Sequence, residues 1–206
     1  MGRVRVGVLG GTFDPIHIGH LVLAEQAREQ LALDEVLFVP AGDPWRKAGK
    51  RITPAGDRLA MVELGIAGNP AFRASRVEVE RPGPSYSVET LAALAAERPD
   101  AELYFILGED ALFDLPNWRD PAGIVSLARI AVAARGPASR LDAVSGEQLE
   151  RLVPGLGARF VRVEMPAIGV SATDLRERVR RGATVRYLIP EAVEQYIRER
   201  GLYREA

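Results

Sequence analysis

Both histidines of the chain, His17 and His20, fall in one stretch that reads Gly10-Gly11-Thr12-Phe13-Asp14-Pro15-Ile16-His17-Ile18-Gly19-His20. Glycines let backbone approach a phosphate closely. Imidazoles at the mouth of a helix donate hydrogen bonds to phosphate oxygens, where the positive helix end already favours anions. The stretch carries neither the Walker lysine motif nor Gly-x-Gly-x-x-Gly, so plain ATPase and dehydrogenase chemistry lose support. Two other readings stand beside phosphate binding. Asp14, His17 and His20 are a set of metal-ligand types, but the chain holds no other histidine and no cysteine to complete it. A glycine turn followed by two helix-capping histidines is the structural alternative.

Four more places carry candidate chemistry. The basic residues are 25 Arg and only two Lys, and Lys47 and Lys50 share one short loop. A compact ammonium binds differently from a guanidinium, although an exposed loop with solvated lysines has the same composition. Ser171, Thr173 and Arg176 open a helical segment. Ser171 with Asp174 fits a capping box, while Arg176, one turn in, reaches an anion at the helix N-terminus. Gly108 and Asp110 follow an apolar run, where Asp110 suits ribose hydroxyls or serves as an acid near a helix N-terminus. Trp118, between Asn117 and Arg119-Asp120, reads as a partly exposed loop residue rather than core.

Alternating strands and helices must position these groups. Val4 to Leu9 reads as a strand closed by Gly10-Gly11, and Gly19 to Leu31 as a helix. Val36 to Val39, Leu103 to Leu107, Ile130 to Ala134 and Phe160 to Val163 are further strands. Arg76 to Glu80 alternates as an edge-like strand. Helices are expected over Arg58 to Ile66, Val88 to Ala96 with Ser87 as N-cap, Gly146 to Val153, Ser171 to Arg181 and Pro190 to Arg200. Proline opens the last of these in its first turn, and Gly201 stops it. This is the pattern of an α/β fold with a doubly wound parallel sheet, in which ligands bind outside the carboxyl ends of the strands.

Composition bounds the rest. The chain has 206 residues, 47% hydrophobic and 27% charged, with a formal net charge of −1. This is a globular composition without the basic footprint of a general nucleic-acid or membrane-surface binder. The absence of cysteine excludes disulfides and thiolate chemistry and fits a cytoplasmic protein. No signal peptide, myristoylation pattern or apolar run of membrane-spanning length is evident.

Gly11-Thr12-Phe13-Asp14-Pro15-x-His17-x-Gly19-His20 resembles the signature of the nucleotidyltransferase superfamily. Five later segments, in order, are similar to the bacterial nicotinate-mononucleotide adenylyltransferases. They are Pro44-Trp45-Arg46-Lys47, Arg81-Pro82-Gly83-Pro84-Ser85-Tyr86-Ser87, Phe105 to Asp110 with Trp118 after it, Val170 to Arg176, and Val185 to Pro190. The resemblance implies a single nucleotidyltransferase domain over 1–206, with a Rossmann-like core to about residue 165 and a helical C-terminal segment over about 166–206. It implies transfer of adenylate from ATP to nicotinate mononucleotide, giving deamido-NAD and pyrophosphate, with Mg2+ carried by ATP and no metal held by protein side chains.

By the same resemblance His17, His20, Lys47 and Arg176 are catalytic. Gly10, Gly11, Thr12, Phe13, Gly108, Asp110, Ser171 and Thr173 join His17, His20 and Arg176 around ATP. Thr12, Lys47, Tyr86, Ser87 and Trp118 receive the mononucleotide. Ala172 stands where the family usually has a second hydroxyl, and Trp45-Arg46 where relatives commonly have Pro-His. The implied partners are the two nucleotides, with no nucleic acid and no membrane, and a homo-oligomer is compatible with the sequence. Other acceptors, namely nicotinamide mononucleotide, phosphopantetheine or a riboflavin phosphate, and a protein that holds ATP without turning it over are the competing functions.

Overall fold

The computed structural model describes residues 2–44, 52–136 and 139–204. Among them, runs rich in Val, Ile, Leu and Phe pair into one all-parallel sheet of six strands. These are β1 (Val4–Gly11), β2 (Glu35–Pro40), β3 (Phe72–Ala74), β4 (Ala101–Gly108), β5 (Arg129–Arg135) and β6 (Phe160–Met165). Their spatial order is β3-β2-β1-β4-β5-β6. The crossovers carry α1 (Ile18–Gln30), α2 (Ala55–Ile66), α3 (Ser87–Glu97), α4 (Glu109–Asp114), α5 (Pro121–Leu127), α6 (Gly146–Leu152) and α7 (Leu156–Arg159). Two further helices, α8 (Ala172–Arg180) and α9 (Glu191–Glu199), follow β6.

Strand side chains alternate between the two faces, and each face buries its own helix layer. Val6 and Val8 of β1, with Leu103, Phe105 and Leu107 of β4, pack with Leu91 and Leu94 of α3, Leu112 of α4 and Ile124 of α5. Leu9, Tyr104 and Ile106 face the other way, against Leu23 and Ala27 of α1 and Met61 and Val62 of α2. Leu175 of α8 and Val193 and Ile197 of α9 belong to this second cluster. Each fully buried aliphatic contributes roughly 1.5–3 kcal/mol relative to exposure, so these two layers hold the sheet and fix where its loops emerge.

The strand order reverses at β1, which pairs with β2 on one side and β4 on the other. In such sheets ligands bind at the point of reversal, outside the strand ends, here past Gly11 and Gly108, the last residues of β1 and β4. The strand expected over Arg76 to Glu80 is absent; that segment is a turn, and the edge strand is the shorter β3 before it. The alternation misleads because Glu78, not its valine neighbours, is the buried residue there. The N-cap of α3 is Tyr86 rather than Ser87, and Pro190 caps α9 from just outside its first turn.

Candidate active site

From Gly11 the chain enters the loop that bears the histidines. Phe13 has a φ of 48°, a left-handed conformation that costs an L-residue on the order of 1–3 kcal/mol. Burial holds it there. Its ring packs edge-on to His20 at 4.9 Å and tilted against Phe38 at 5.9 Å. The next peptide, Asp14-Pro15, is cis.

His17 is the extended N-cap residue of α1, and its backbone N–H donates to His20 Nδ1 at 3.2 Å. The two imidazoles stack with centroids 3.7 Å apart. Because His20 Nδ1 is an acceptor, the neutral ring carries its proton on Nε2 and presents that atom as a donor. A Cβ on Gly19 would meet the His17 ring at 3.1 Å, so a residue without a side chain suits the stack. The Ile18 N–H donates to the Leu188 carbonyl at 3.0 Å, which seats the start of α1 on the Val185 to Pro190 turn.

Helix α8 brings its N-terminus to the same loop. Arg176 donates from one terminal nitrogen to the Asp14 carbonyl at 2.8 Å and from the other to Thr173 Oγ1 at 3.3 Å. A guanidinium has five N–H groups, so three remain for an anion. Ser171 Oγ accepts the Asp174 N–H at 3.1 Å as the N-cap of α8 and keeps a hydroxyl proton to donate, but the Asp174 carboxylate accepts from Arg178 at 2.8 Å instead of closing the expected capping box. Thr173 and Arg176 border a cleft of about 610 Å³ that Arg180, Arg200 and Tyr203 also line.

Gly108 is the N-cap of α4, and the Asp110 side chain is 94% exposed, 3.6 Å from Arg140. Glu109 fastens the neighbouring segment by accepting from the Ser139 hydroxyl at 2.6 Å and the Arg140 N–H at 3.1 Å. Tyr86 and Ser87 open α3. Trp118 is half-buried, donates from Nε1 to Asp114 at 2.8 Å and meets Phe105 edge-on at 6.1 Å. Arg119 lies over the Tyr86 ring at 4.5 Å, which joins the Trp118 loop to the α3 start. Lys47, with Trp45, Arg46 and Lys50, lies outside the described residues.

Sequence reasoning missed the group that ties these loops together. Arg58, only 1% exposed, donates to the carbonyls of Thr53 at 2.8 Å, Thr12 at 2.8 Å and Gly42 at 3.1 Å. One guanidinium thus joins the histidine loop, the exit of β2 and the approach to α2. Burial pushes its pKa down, while Asp14, Tyr203 and Glu78 counter that shift. Asp14 is itself committed: Oδ1 accepts from the Tyr203 hydroxyl at 2.7 Å and Oδ2 from the Thr53 N–H at 3.4 Å. Among the described residues no group of three or more His, Asp or Glu stands together as a metal site. Burial and the Asp14 carboxylate push the Tyr203 phenol far above its usual range.

Glu78 sits behind the α3 start. It accepts from the Thr90 hydroxyl at 2.6 Å, and Ser85 accepts the Gly42 N–H at 3.1 Å. A Cβ on Gly42 would come within 2.1 Å of the Glu78 carbonyl, so only glycine fits this crossing. Burial pushes the Glu78 carboxyl above the usual range despite the hydrogen bonds from Thr90 and Ser85. The folded state therefore binds a proton that the unfolded chain has released, and stability falls as pH rises through the interval above the unfolded value. Glu78→Gln removes this linkage. Urea midpoints measured from about pH 4 to pH 7 are expected to fall for the wild type relative to the variant; parallel profiles would refute the assignment.

The chain matches the family model described as cytidylyltransferase-like over residues 8–178. A protein of Thermomicrobium roseum named "Probable nicotinate-nucleotide adenylyltransferase" is 48% identical over 200 residues, 97% of this chain and 92% of its own length. One of the same name from Roseiflexus sp. is 47% identical over 204 residues, 99% of this chain and 100% of its own. Among solved structures, Plasmodium falciparum nicotinic acid mononucleotide adenylyltransferase complexed with NaAD has a TM-score of 0.76 at 18% identity, covering 97% of each chain. The same enzyme complexed with APC has a TM-score of 0.74 at 17% identity, covering 97% of this chain and 96% of its own. At such low identity these two show a shared Rossmann-like fold. Full-length identity to the curated relatives makes the chain a member of the nicotinate-nucleotide adenylyltransferase family, within the cytidylyltransferase-like group.

Proposed function

We propose that the chain, acting as a single nucleotidyltransferase domain in the cytoplasm, transfers the adenylyl group of MgATP to nicotinate mononucleotide. An oxygen of the mononucleotide phosphate attacks the α-phosphorus of ATP, the bond from that phosphorus to the bridging oxygen breaks, and pyrophosphate leaves. The attacking phosphate has a second pKa of roughly 6 and is mostly ionised near neutral pH, so it needs no protein base. The protein's work is alignment and neutralisation of charge on the departing group.

One observation carries this reading: the His17–His20 stack stands at the N-terminus of α1, at the strand-order switch, with Arg176 of α8 bonded to the same loop. His20 Nε2 and His17 donate to the ATP phosphates, with Gly10, Gly11, Thr12 and Phe13 shaping the approach. Ser171, Thr173 and Arg176 hold the β and γ phosphates. Gly108 and Asp110 receive adenine and ribose. Tyr86 and Ser87 take the nicotinate carboxylate, Trp118 stacks on the pyridine ring, and Lys47 contacts the mononucleotide or transferring phosphate. Magnesium enters with ATP as part of the substrate.

The test is to incubate the pure protein with MgATP and, separately, nicotinate mononucleotide, nicotinamide mononucleotide and phosphopantetheine, and to identify products by mass. Deamido-NAD well in excess of NAD and dephospho-coenzyme A is expected. A different dominant dinucleotide would change the acceptor, and ATP binding with no pyrophosphate released would reject the enzyme.

A further inference from the structure

Arg119 stands where the two halves of the proposed acceptor site meet. It follows Trp118 in the chain, and its guanidinium lies 4.5 Å from the centre of the Tyr86 ring. It also pairs with Glu89 Oε1 at 3.1 Å, while Arg81 approaches the other oxygen of that carboxylate at 3.6 Å. Two guanidinium charges thus share one carboxylate in the first turn of α3. Glu89 therefore offsets only one of the two cations, at the helix end that is itself positive, and the Glu78 carboxyl acts on Arg81. Arg81 is further held by donating to Thr90 Oγ1 at 2.7 Å. The Tyr86 face holds Arg119 against the start of α3.

We propose that Arg119 is a specificity-determining residue that favours an acceptor bearing a carboxylate on its pyridine ring over the corresponding neutral amide. The inference rests on Tyr86, Ser87 and Trp118 forming the acceptor's pyridine site. The two acceptors share phosphate, ribose and ring, and differ at this position by one negative charge. A guanidinium stacked beside that position attracts the acid and gains little from the amide, so it separates the two without touching the reacting atoms.

The experiment compares kcat/KM for nicotinate mononucleotide and nicotinamide mononucleotide in the wild type, Arg119→Gln and Arg119→Lys, at low and high salt. Arg119→Gln is expected to lower the acid-to-amide ratio about twofold to fivefold, the scale of one partly exposed charge interaction. The loss should fall on KM for the acid, with kcat and amide turnover nearly unchanged. Arg119→Lys should recover part of the ratio. Added salt should erode the wild-type ratio more than that of Arg119→Gln, because screening acts on the charge and not on packing. A ratio that stays at the wild-type value in Arg119→Gln would overturn the assignment, as would equal losses for both acceptors. Absence of deamido-NAD formation by the wild type would instead strike the acceptor reading beneath it.

Discussion

Replacing His20 with alanine is expected to lower kcat by about 10²–10³-fold, the range for a lost donor to charge that builds in the transition state. The same change removes the acceptor for the His17 N–H at the start of α1, so a loss of activity alone does not isolate the chemistry. His20→Asn separates the two effects. Its side-chain oxygen stands in for Nδ1 and keeps the capping bond, but the side chain is too short to replace Nε2–H. Turnover of the asparagine variant should remain close to that of the alanine variant while thermal stability returns towards wild type. Near-normal turnover in His20→Asn would remove His20 from the mechanism and leave it a capping residue.

Arg58→Met is expected to cost about 3 kcal/mol or more of unfolding free energy, measured by urea denaturation. The carbonyls of Thr12, Gly42 and Thr53 lose a shared donor, and each buried acceptor left unsatisfied costs on the order of 1–3 kcal/mol. Asp14 and Glu78 also lose the cation they face. Arg58→Lys keeps the charge but cannot reach three carbonyls with one compact ammonium, and should fall between the other two. A cost below about 1 kcal/mol for methionine would mean that water replaces the guanidinium and that the loops do not depend on it.

That the histidine loop and the Ser171 to Arg176 helix start belong to one candidate site was legible in the sequence because their signals are local. The glycine turn after β1, the paired histidines and the Ser171 to Arg176 helix start all lie within short windows whose backbone requirements are known. The strand alternation that defined the sheet is local as well. What escaped is long-range. Nothing in the sequence sets Arg58 apart from the other arginines of a nearly lysine-free chain; its burial comes from three loops converging on it. The Tyr203–Asp14 bond spans 189 positions. Arg76 to Glu80 had strand-like alternation, yet tertiary packing draws Glu78 inward towards Thr90 and Ser85 and the segment folds as a turn. Periodicity describes a face, and only packing decides what covers it.

We infer that the scaffold aligns two anionic nucleotides for one direct displacement and lends no covalent group of its own. The stereochemical course at the transferring phosphorus tests it most directly. ATP made chiral at the α-phosphorus by a single sulfur is converted with nicotinate mononucleotide, and the configuration of the product is read by phosphorus NMR. A single in-line attack inverts that centre, and inversion is the predicted result. Net retention would require two successive displacements through an adenylylated side chain, and would contradict the claim.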